Sequence, residues 1–143
     1  MKQSLAIRVT WRDEHMQEVE AEIVLEEWGG RARAYAELGA LTRLADAAQA
    51  IADNPAEAVR WDAGRDDGTG YVGLSFSAAD KLGHVNVALR LSSMEPTRDP
   101  ESIARLSVRR VSEIGLMDRF ASDLRRLEGS HEGEASLELT GRG

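Results

Sequence analysis

The sequence predicts an α+β protein: a single antiparallel sheet of about seven strands with two helices packed on one face. Apolar and polar side chains alternate over most of the chain, which is the period of half-buried strands. Two segments, residues 40–53 and 116–127, instead carry apolar residues at helical spacing. Turn sequences between successive strands favour antiparallel pairing. The predicted order is β-β-β-α-β-β-β-β-α, with a possible extra strand at the C-terminus.

The first part of the chain is predicted to form three strands. Residues 4–12 and 17–28 alternate between apolar and polar side chains, and Trp11 is expected to face the core. Gly29-Gly30 is typical of a two-residue hairpin turn, because both central positions of a type I′ turn favour positive φ. The third strand would begin directly after this turn, and its small inward alanines would leave room for a helix.

A helix and a fourth strand are predicted next. Apolar residues recur along one stripe of residues 40–53, at the spacing of an α-helix. Pro55 ends this segment, since the residue before a proline avoids the helical region. Alternation resumes over residues 58–64, which predicts the fourth strand.

Residues 71–91 give the clearest hairpin pattern in the chain. If residues 80–83 form the turn, four apolar pairs fall on one face: Ala78–Val85, Phe76–Val87, Leu74–Leu89 and Val72–Leu91. A slip of one residue would move the apolar set of one strand into water, so burial selects this register. The opposite face is small and polar around Gly73, Ser75 and Ser77, and we expect it to be flat.

The last part of the chain contains a loop, a strand and a helix in this interpretation. Two prolines mark residues 92–102 as a loop. Residues 103–111 alternate and predict a strand, and residues 116–127 predict the second helix, with Gly129 placed to cap it. The alternating segment 134–139 could be an edge strand, a tail or a strand donated to a neighbouring molecule.

Length and composition predict a single domain. The 143 residues suit one α+β domain over residues 1–130, with residues 131–143 as a C-terminal extension. Cysteine is absent, which excludes disulfides, cysteine nucleophiles and thiolate metal sites. The net charge of −7 disfavours nucleic acid as a partner. No apolar run is long enough to span a bilayer, so we expect a cytoplasmic protein without a membrane partner.

No pattern of catalytic or metal-binding residues stands out in the sequence. Asp62, Asp66 and Asp67 lie among glycines, but the spacing misplaces the glycine of a calcium loop and no glutamate closes it. The three histidines are far apart and lack the spacing of metal ligands. We therefore predict no catalytic residue, no metal and no cofactor, and we expect a protein that is not an enzyme.

The candidate binding residues are the polar and aromatic side chains expected on exposed strand faces. Alternation places a row of glutamates on the outer face of the second strand, where they could attract a basic partner. Aromatic residues accompany this row, and a histidine and an arginine flank the hairpin of residues 71–91. The candidates are Glu18, Glu20, Glu22, Glu26, Trp28, Tyr35, His84 and Arg90.

Residues 60–91, RWDAGRDDGTGYVGLSFSAADKLGHVNVALRL, resemble the middle of a group of small bacterial proteins. The shared pattern is a tryptophan-bearing strand, a strand ending in small residues, and Gly83-His84-Val85 opening an alternating apolar strand. The resemblance extends over about residues 20–128, and EASLEL near the C-terminus departs from the usual ending. Most members of the group are uncharacterised, and some resemble WapI-type immunity proteins that neutralise a partner toxin. The resemblance implies no catalytic residues.

Two functional hypotheses follow. The first is a non-enzymatic binding protein, an immunity-type inhibitor that meets a basic toxin domain through its acidic sheet face. The alternative is a small-ligand-binding or enzymatic module with a site between sheet and helices. That site would lie near His84, Tyr71 and Arg90, or under the alanines of residues 32–36. A homodimer through the flat Ser/Gly/Ala face of the central hairpin is compatible with either.

Overall fold

A computed structural model describes residues 2–94 and 99–142, so residues 95–98 of the predicted loop lie outside the described chain. The strands are β1 Gln3–Arg12, β2 Met16–Val24, β3 Gly29–Glu37, β4 Val59–Gly64, β5 Thr69–Ala78, β6 His84–Met94, β7 Arg105–Glu113, β8 Ala135–Leu139 and β9 Gly141–Arg142. The helices are α1 Ala40–Asp53 and α2 Ile114–Ser130, and a short 3-10 turn covers Pro100–Ser102.

The described strands form two antiparallel sheets. Sheet 1 has the order β3-β2-β1-β8, and sheet 2 has the order β4-β5-β6-β7-β9, of which β9 is only two residues long. The α+β class, the two helices and the antiparallel pairing are confirmed, but the prediction of a single seven-stranded sheet is wrong. The sheets separate because α1 carries the chain away from β3, and β4 then pairs with β5 rather than with β3.

Both sheets share one hydrophobic core with the helix pair. The helices pack against each other; α1 also contacts β4 and β5, whereas α2 contacts β8, β7 and β1. The indole Nε1 of Trp61 donates a hydrogen bond of 2.9 Å to the carbonyl of Ala40, which ties β4 to the start of α1. The helices therefore lie against the inner faces of two sheets, not on one face of a single sheet.

The third strand crosses close to the second sheet. Gly64 and Gly70 both adopt positive φ, 77° and 95°, and a Cβ at Gly70 would collide with the carbonyl oxygen of Arg33 in β3. A Cβ at Gly64 would lie 3.0 Å from that of Ala34. The inward alanines of β3 thus make room for the strands of sheet 2, where the sequence suggested a helix.

The two long hairpins differ in how well their registers were predicted. The register of β5 and β6 is confirmed at every apolar pair, from Ala78 opposite Val85 to Val72 opposite Leu91. The prediction of a turn at Gly29-Gly30 is wrong, because both glycines lie in β3, opposite Val24 and Ile23. The turn is instead residues 25–28, closed by a hydrogen bond of 2.8 Å from the Leu25 amide to the Trp28 carbonyl.

A β-bulge changes the orientation of one predicted core residue. The register of β1 and β2 shifts between Val9 and Trp11, so Trp11 lies opposite Glu18 on the outer face. Its side chain is 47% exposed, and the prediction that it faces the core is wrong. A bulge adds one unpaired residue, here Thr10, and every later side chain changes face.

The polar side chain of Glu128 joins the helices to sheet 1. Its Oε1 accepts the amides of Leu41 and Thr42 at 3.1 and 3.3 Å, at the start of α1. Its Oε2 accepts the side-chain amide of Gln17 at 3.1 Å. This carboxylate on α2 therefore satisfies amides that the first turn of α1 cannot pair within the helix.

The C-terminal part of the chain completes both sheets. Helix α2 continues through Gly129 and ends at Ser130. The residue that caps it is His131, which has a φ of 60°, so Gly129 is not the cap that the sequence suggested. Strand β8 pairs with β1 in the same chain and β9 pairs with β7, so residues 135–142 connect the two sheets.

Candidate functional site

The structure divides the predicted binding residues between the two sheets. Glu18, Glu20, Glu22 and Tyr35 lie on the outer face of sheet 1; Glu26 and Trp28 lie in the turn at its end; His84 and Arg90 lie on β6 of sheet 2. Six of the eight residues are thus associated with one sheet, and the two others belong to a separate surface.

Arginines pair with the acidic row on the outer face of sheet 1. Glu20 is only 4% exposed and lies between Arg8 at 3.3 Å and Arg33 at 3.0 Å. Arg8 also contacts Glu22 at 3.1 Å. We call these four residues the ion-pair ladder. The charges of these four residues balance. Arg8 also pairs with Glu134 at 2.9 Å and Arg31 lies opposite Glu22, so the middle of this face carries little net charge.

Glu18 differs from its neighbours in the same row. Within the described chain it forms no ion pair, and its Oε1 accepts a hydrogen bond of 2.8 Å from the Thr10 hydroxyl. It lies in register between Trp11 on β1 and Tyr35 on β3. This carboxylate, whose charge also helps to raise the pKa of Arg33, therefore stands between two exposed aromatic side chains.

Three exposed apolar side chains surround this carboxylate. The rings of Trp11 and Tyr35 meet edge to face, with centroids 6.3 Å apart and an interplanar angle of 88°. Met16 is exposed beside them at the start of β2. We call these three residues the aromatic patch. The sequence identified Tyr35 but missed Trp11, because nothing in its alternation reveals the bulge.

A third exposed aromatic residue lies at the opposite end of sheet 1. Trp28 is 69% exposed in the β2–β3 turn, and its neighbours Glu26 and Glu27 are also exposed. The chain has three tryptophans, and only Trp61 among them is buried. Sheet 1 therefore presents an aromatic residue and acidic side chains at each end of a charge-balanced middle.

Sheet 2 has a groove of about 580 Å³ on its outer face, extending to α1. We call it the arginine groove, and it is lined by Arg43, Asp46, Arg60, Trp61, Asp62, Tyr71, Gly73, Leu74, Ser75, Ala88 and Arg90. Two of the residues that the sequence proposed for a ligand site, Tyr71 and Arg90, meet here. Arg60 and Asp62 were missed, because their position beside β5 depends on strand pairing.

The ring of Tyr71 lies over Gly73 in the arginine groove. Its hydroxyl donates a hydrogen bond of 3.2 Å to the carboxylate of Asp62. A Cβ at Gly73 would lie 2.5 Å from this hydroxyl, so the glycine is what lets the ring approach the sheet. Burial raises the pKa of the Tyr71 hydroxyl, and the charge and hydrogen bond of Asp62 raise it further. The phenol therefore stays protonated at neutral pH.

The charged residues of the groove differ in whether they have partners. Arg43 pairs with Glu37, and Asp46 pairs with Arg125 at 3.2 Å. Arg60 and Arg90, by contrast, form no ion pair or side-chain hydrogen bond within residues 2–94 and 99–142, although the charge of Arg90 contributes to a lowered pKa of the Asp66 carboxyl.

His84 lies outside the arginine groove, at the β5–β6 turn. Its Nδ1 is 2.6 Å from Oδ2 of Asp80, and Oδ1 of Asp80 accepts the Leu82 amide at 2.7 Å. These hydrogen bonds lower the pKa of the Asp80 carboxyl, the Leu82 amide contributing most. The second proposed pocket, under the alanines of residues 32–36, is occupied by strands of sheet 2.

The aspartates near residue 66 have structural partners in the described chain. Asp67 accepts the amide and hydroxyl of Thr69 at 3.1 and 2.5 Å, and Asp66 accepts Arg105 at 2.9 Å. Over residues 2–94 and 99–142, no three histidine, aspartate or glutamate side chains are grouped as a metal site would require. No helix of this part of the chain is long and apolar enough to cross a membrane.

Comparison with known proteins adds no relative to this description. No protein-family model, no curated protein and no solved structure matches the chain. The outer faces of the two sheets are therefore the features of the chain that indicate a function.

Proposed function

We propose that this chain is a non-enzymatic binding protein, an immunity-type inhibitor of a bacterial toxin, which binds a basic toxin domain through the outer face of sheet 1. The aromatic patch is the observation that carries the proposal. Tryptophan and tyrosine are enriched among the residues that supply most of the binding energy in protein interfaces. Here both are exposed on a sheet face, with a methionine beside them.

Covering the aromatic patch would recover apolar area that is now in contact with water. Trp11 is 47% exposed and Tyr35 is 45% exposed. Removing apolar area from water is worth about 25 cal/mol per Å², before the costs of association. Trp28 offers a second contact at the far end of the sheet, so an extended partner could bind both ends.

The charge around the aromatic residues favours a basic partner. Glu18 lies within the patch without a direct ion pair in the described chain, and acidic residues lie exposed in both turns of sheet 1: Asp13, Glu14, Glu26 and Glu27. The ion-pair ladder between the ends is balanced, so attraction arises at the two turns and at Glu18. Such charges chiefly accelerate association, and salt reduces their effect.

A photo-crosslinker placed on the aromatic patch tests whether this face meets a partner. We expect p-benzoylphenylalanine replacing Tyr35 to capture one basic polypeptide in source cells. The matched control carries the same group at Ser77, on the outer face of sheet 2. Equal capture from both positions, or from Ser77 alone, would contradict the proposal.

The captured polypeptide then allows a quantitative test with purified proteins. Trp11→Ala should weaken its binding at least tenfold, as expected when a residue worth more than about 1.4 kcal/mol is truncated. Glu18→Gln should mainly slow association and reduce its salt dependence. The polypeptide alone should arrest growth, and co-expression of the unchanged chain, but not of Trp11→Ala, should restore it. A folded Trp11→Ala variant that binds and protects normally would overturn the proposal.

A further inference from the structure

We propose that the arginine groove binds a small organic molecule through a phosphate or carboxylate group held between Arg60 and Arg90. This site lies on sheet 2 and is independent of the proposed interface on sheet 1. Its basis is the arrangement of the floor, the two arginines and Tyr71.

Small residues make the floor of the groove. Ser75 and Ala88 are neighbours across β5 and β6, and Gly73 lies in the next row. Larger side chains at these positions would fill the space above β5, between the side chains of β4 and β6. Their absence leaves about 580 Å³, which falls within the 300–1,000 Å³ range typical of small-molecule sites.

The two arginines stand on opposite sides of this floor. Arg60 on β4 is opposite Ser75, and Arg90 on β6 is opposite Gly73. Strand β5 therefore lies between the two arginines, and their positions differ by two residues along the strands. Strand spacing and rise place their Cα atoms roughly 12 Å apart. That separation allows two long side chains to converge on one group above the floor.

The charges of the groove favour an anion. Its lining has three arginines and two aspartates, a net charge of +1, in a chain whose net charge is −7. Arg60 and Arg90 form no direct ion pair in the described chain, unlike Arg8 and Arg33 on sheet 1, although the charge of Arg90 acts on the Asp66 carboxyl and helps to lower its pKa. A guanidinium group presents parallel N–H donors that fit the oxygens of phosphate and carboxylate.

Tyr71 and the groove volume indicate that the ligand is larger than an inorganic ion. The protonated hydroxyl is engaged with Asp62, which leaves the ring lying along the floor as an apolar surface. A ligand with a flat or apolar body could rest on this ring while its acidic group reaches the arginines.

Titration with phenyl phosphate and with benzoate at low ionic strength tests the proposal and separates the two acidic groups. We expect at least one of them to shift the side-chain NMR signals of Arg60 and Arg90. Arg60→Gln and Arg90→Gln should each weaken that binding at least tenfold. Arg109→Gln is the matched control, because Arg109 is an exposed arginine on the same face, outside the groove, and forms no ion pair in the described chain.

Several results would overturn the proposal. These are the absence of binding by either compound at millimolar concentrations, and equal losses from Arg109→Gln and Arg60→Gln. Tight binding of oligonucleotides with equal dependence on all three arginines would indicate a nucleic-acid surface instead. A dimer in solution that Ser75→Arg breaks would show that this face is occupied by a second copy. None of these results affects the toxin-binding proposal, which depends on Trp11 and Tyr35.

Discussion

The outer faces of the two sheets use arginine in opposite ways. On sheet 1, Arg8 and Arg33 hold a nearly buried Glu20, and the face is charge-balanced at its centre. On sheet 2, Arg60 and Arg90 form no direct ion pair within the described residues and stand beside a floor of small residues. The difference indicates that Glu20 and Glu22 of sheet 1 contribute chiefly to the fold, whereas the exposed arginines of sheet 2 carry the proposed ligand site.

The largest expected effect concerns the place where the two sheets touch. Gly70→Ala forces a side chain into a positive φ of 95° and against the backbone of Arg33. A left-handed backbone costs about 1–2 kcal/mol, and overpacking costs about 1–3 kcal/mol more. We expect the free energy of unfolding in urea to fall by about 2–5 kcal/mol.

Gly129→Ala is the matched control for this substitution. Gly129 lies inside α2, and an added Cβ there meets nothing within 4 Å. Alanine should therefore stabilise the protein by up to about 1 kcal/mol, since it favours the helix. If Gly70→Ala unfolded at the same urea concentration as the unchanged chain, the two sheets would not approach each other closely at Gly70.

The second prediction compares one carboxylate from each outer face. Glu20→Ala removes an acid whose side chain is 6% exposed and leaves Arg8 and Arg33 without their shared partner. We expect a loss of about 2 kcal/mol, less than for fully buried pairs because both arginines reach water. Asp62→Ala on sheet 2 should change the stability by less than about 0.5 kcal/mol. If the two substitutions lowered the free energy of unfolding in urea equally, the carboxylates of the two faces would not differ in their contribution to stability.

The third prediction concerns the floor of the arginine groove. Gly73→Ala adds a Cβ that displaces the Tyr71 ring, which can move outward, so stability should change by less than about 1 kcal/mol. The pKa of Tyr71 should fall towards its ordinary value of 10.0, because the ring loses its burial and its contact with Asp62. Ultraviolet titration in a Tyr35→Phe background isolates this tyrosine. An unchanged titration midpoint would mean that Gly73 does not position the ring.

The smallest effect is expected where the sheets are alike, at an aspartate in one turn of each. Amides of His15 and Met16 lower the pKa of Asp13 below 3.8, and the Leu82 amide does the same for Asp80. A lowered pKa contributes stability above the unfolded value, which is lost as pH falls through the folded value. Asp13→Asn and Asp80→Asn should each lower the melting temperature slightly at pH 7. The difference in melting temperature between each variant and the unchanged chain should vanish at a pH below the pKa of that aspartate in the folded protein. A difference that does not depend on pH would show that the amide hydrogen bonds do not lower the pKa.

The hairpins show how far the sequence determined the fold. For β5 and β6, alternation and turn residues agreed, and the predicted register is the observed one. For β2 and β3, alternation fixed the buried face but allowed several registers, and Gly29-Gly30 indicated the wrong one. The packing at position 30 favours a glycine, because a Cβ there would lie 2.9 Å from the Leu106 side chain. A contact between distant strands cannot be distinguished from a turn signal by local pattern.

The candidate sites were predictable to a similar degree. The sequence placed Glu18, Glu20 and Glu22 on one outer face, which the structure bears out in position. It did not reveal that Glu20 is buried between two arginines, since that depends on the pairing of three strands. The groove required knowledge that β4 lies beside β5, so Arg60 was not identified.

The position of β1 has a consequence for synthesis of the protein in the cell. This strand is synthesised long before one of its neighbours, β8, at residues 135–139. While the remaining codons are read, the edge of β1 that later meets β8 is open to other strands. Contacts between such distant segments slow folding, and an uncovered strand edge invites aggregation. A nascent chain of this fold therefore stands to benefit from a chaperone that shields β1 until β8 has been synthesised.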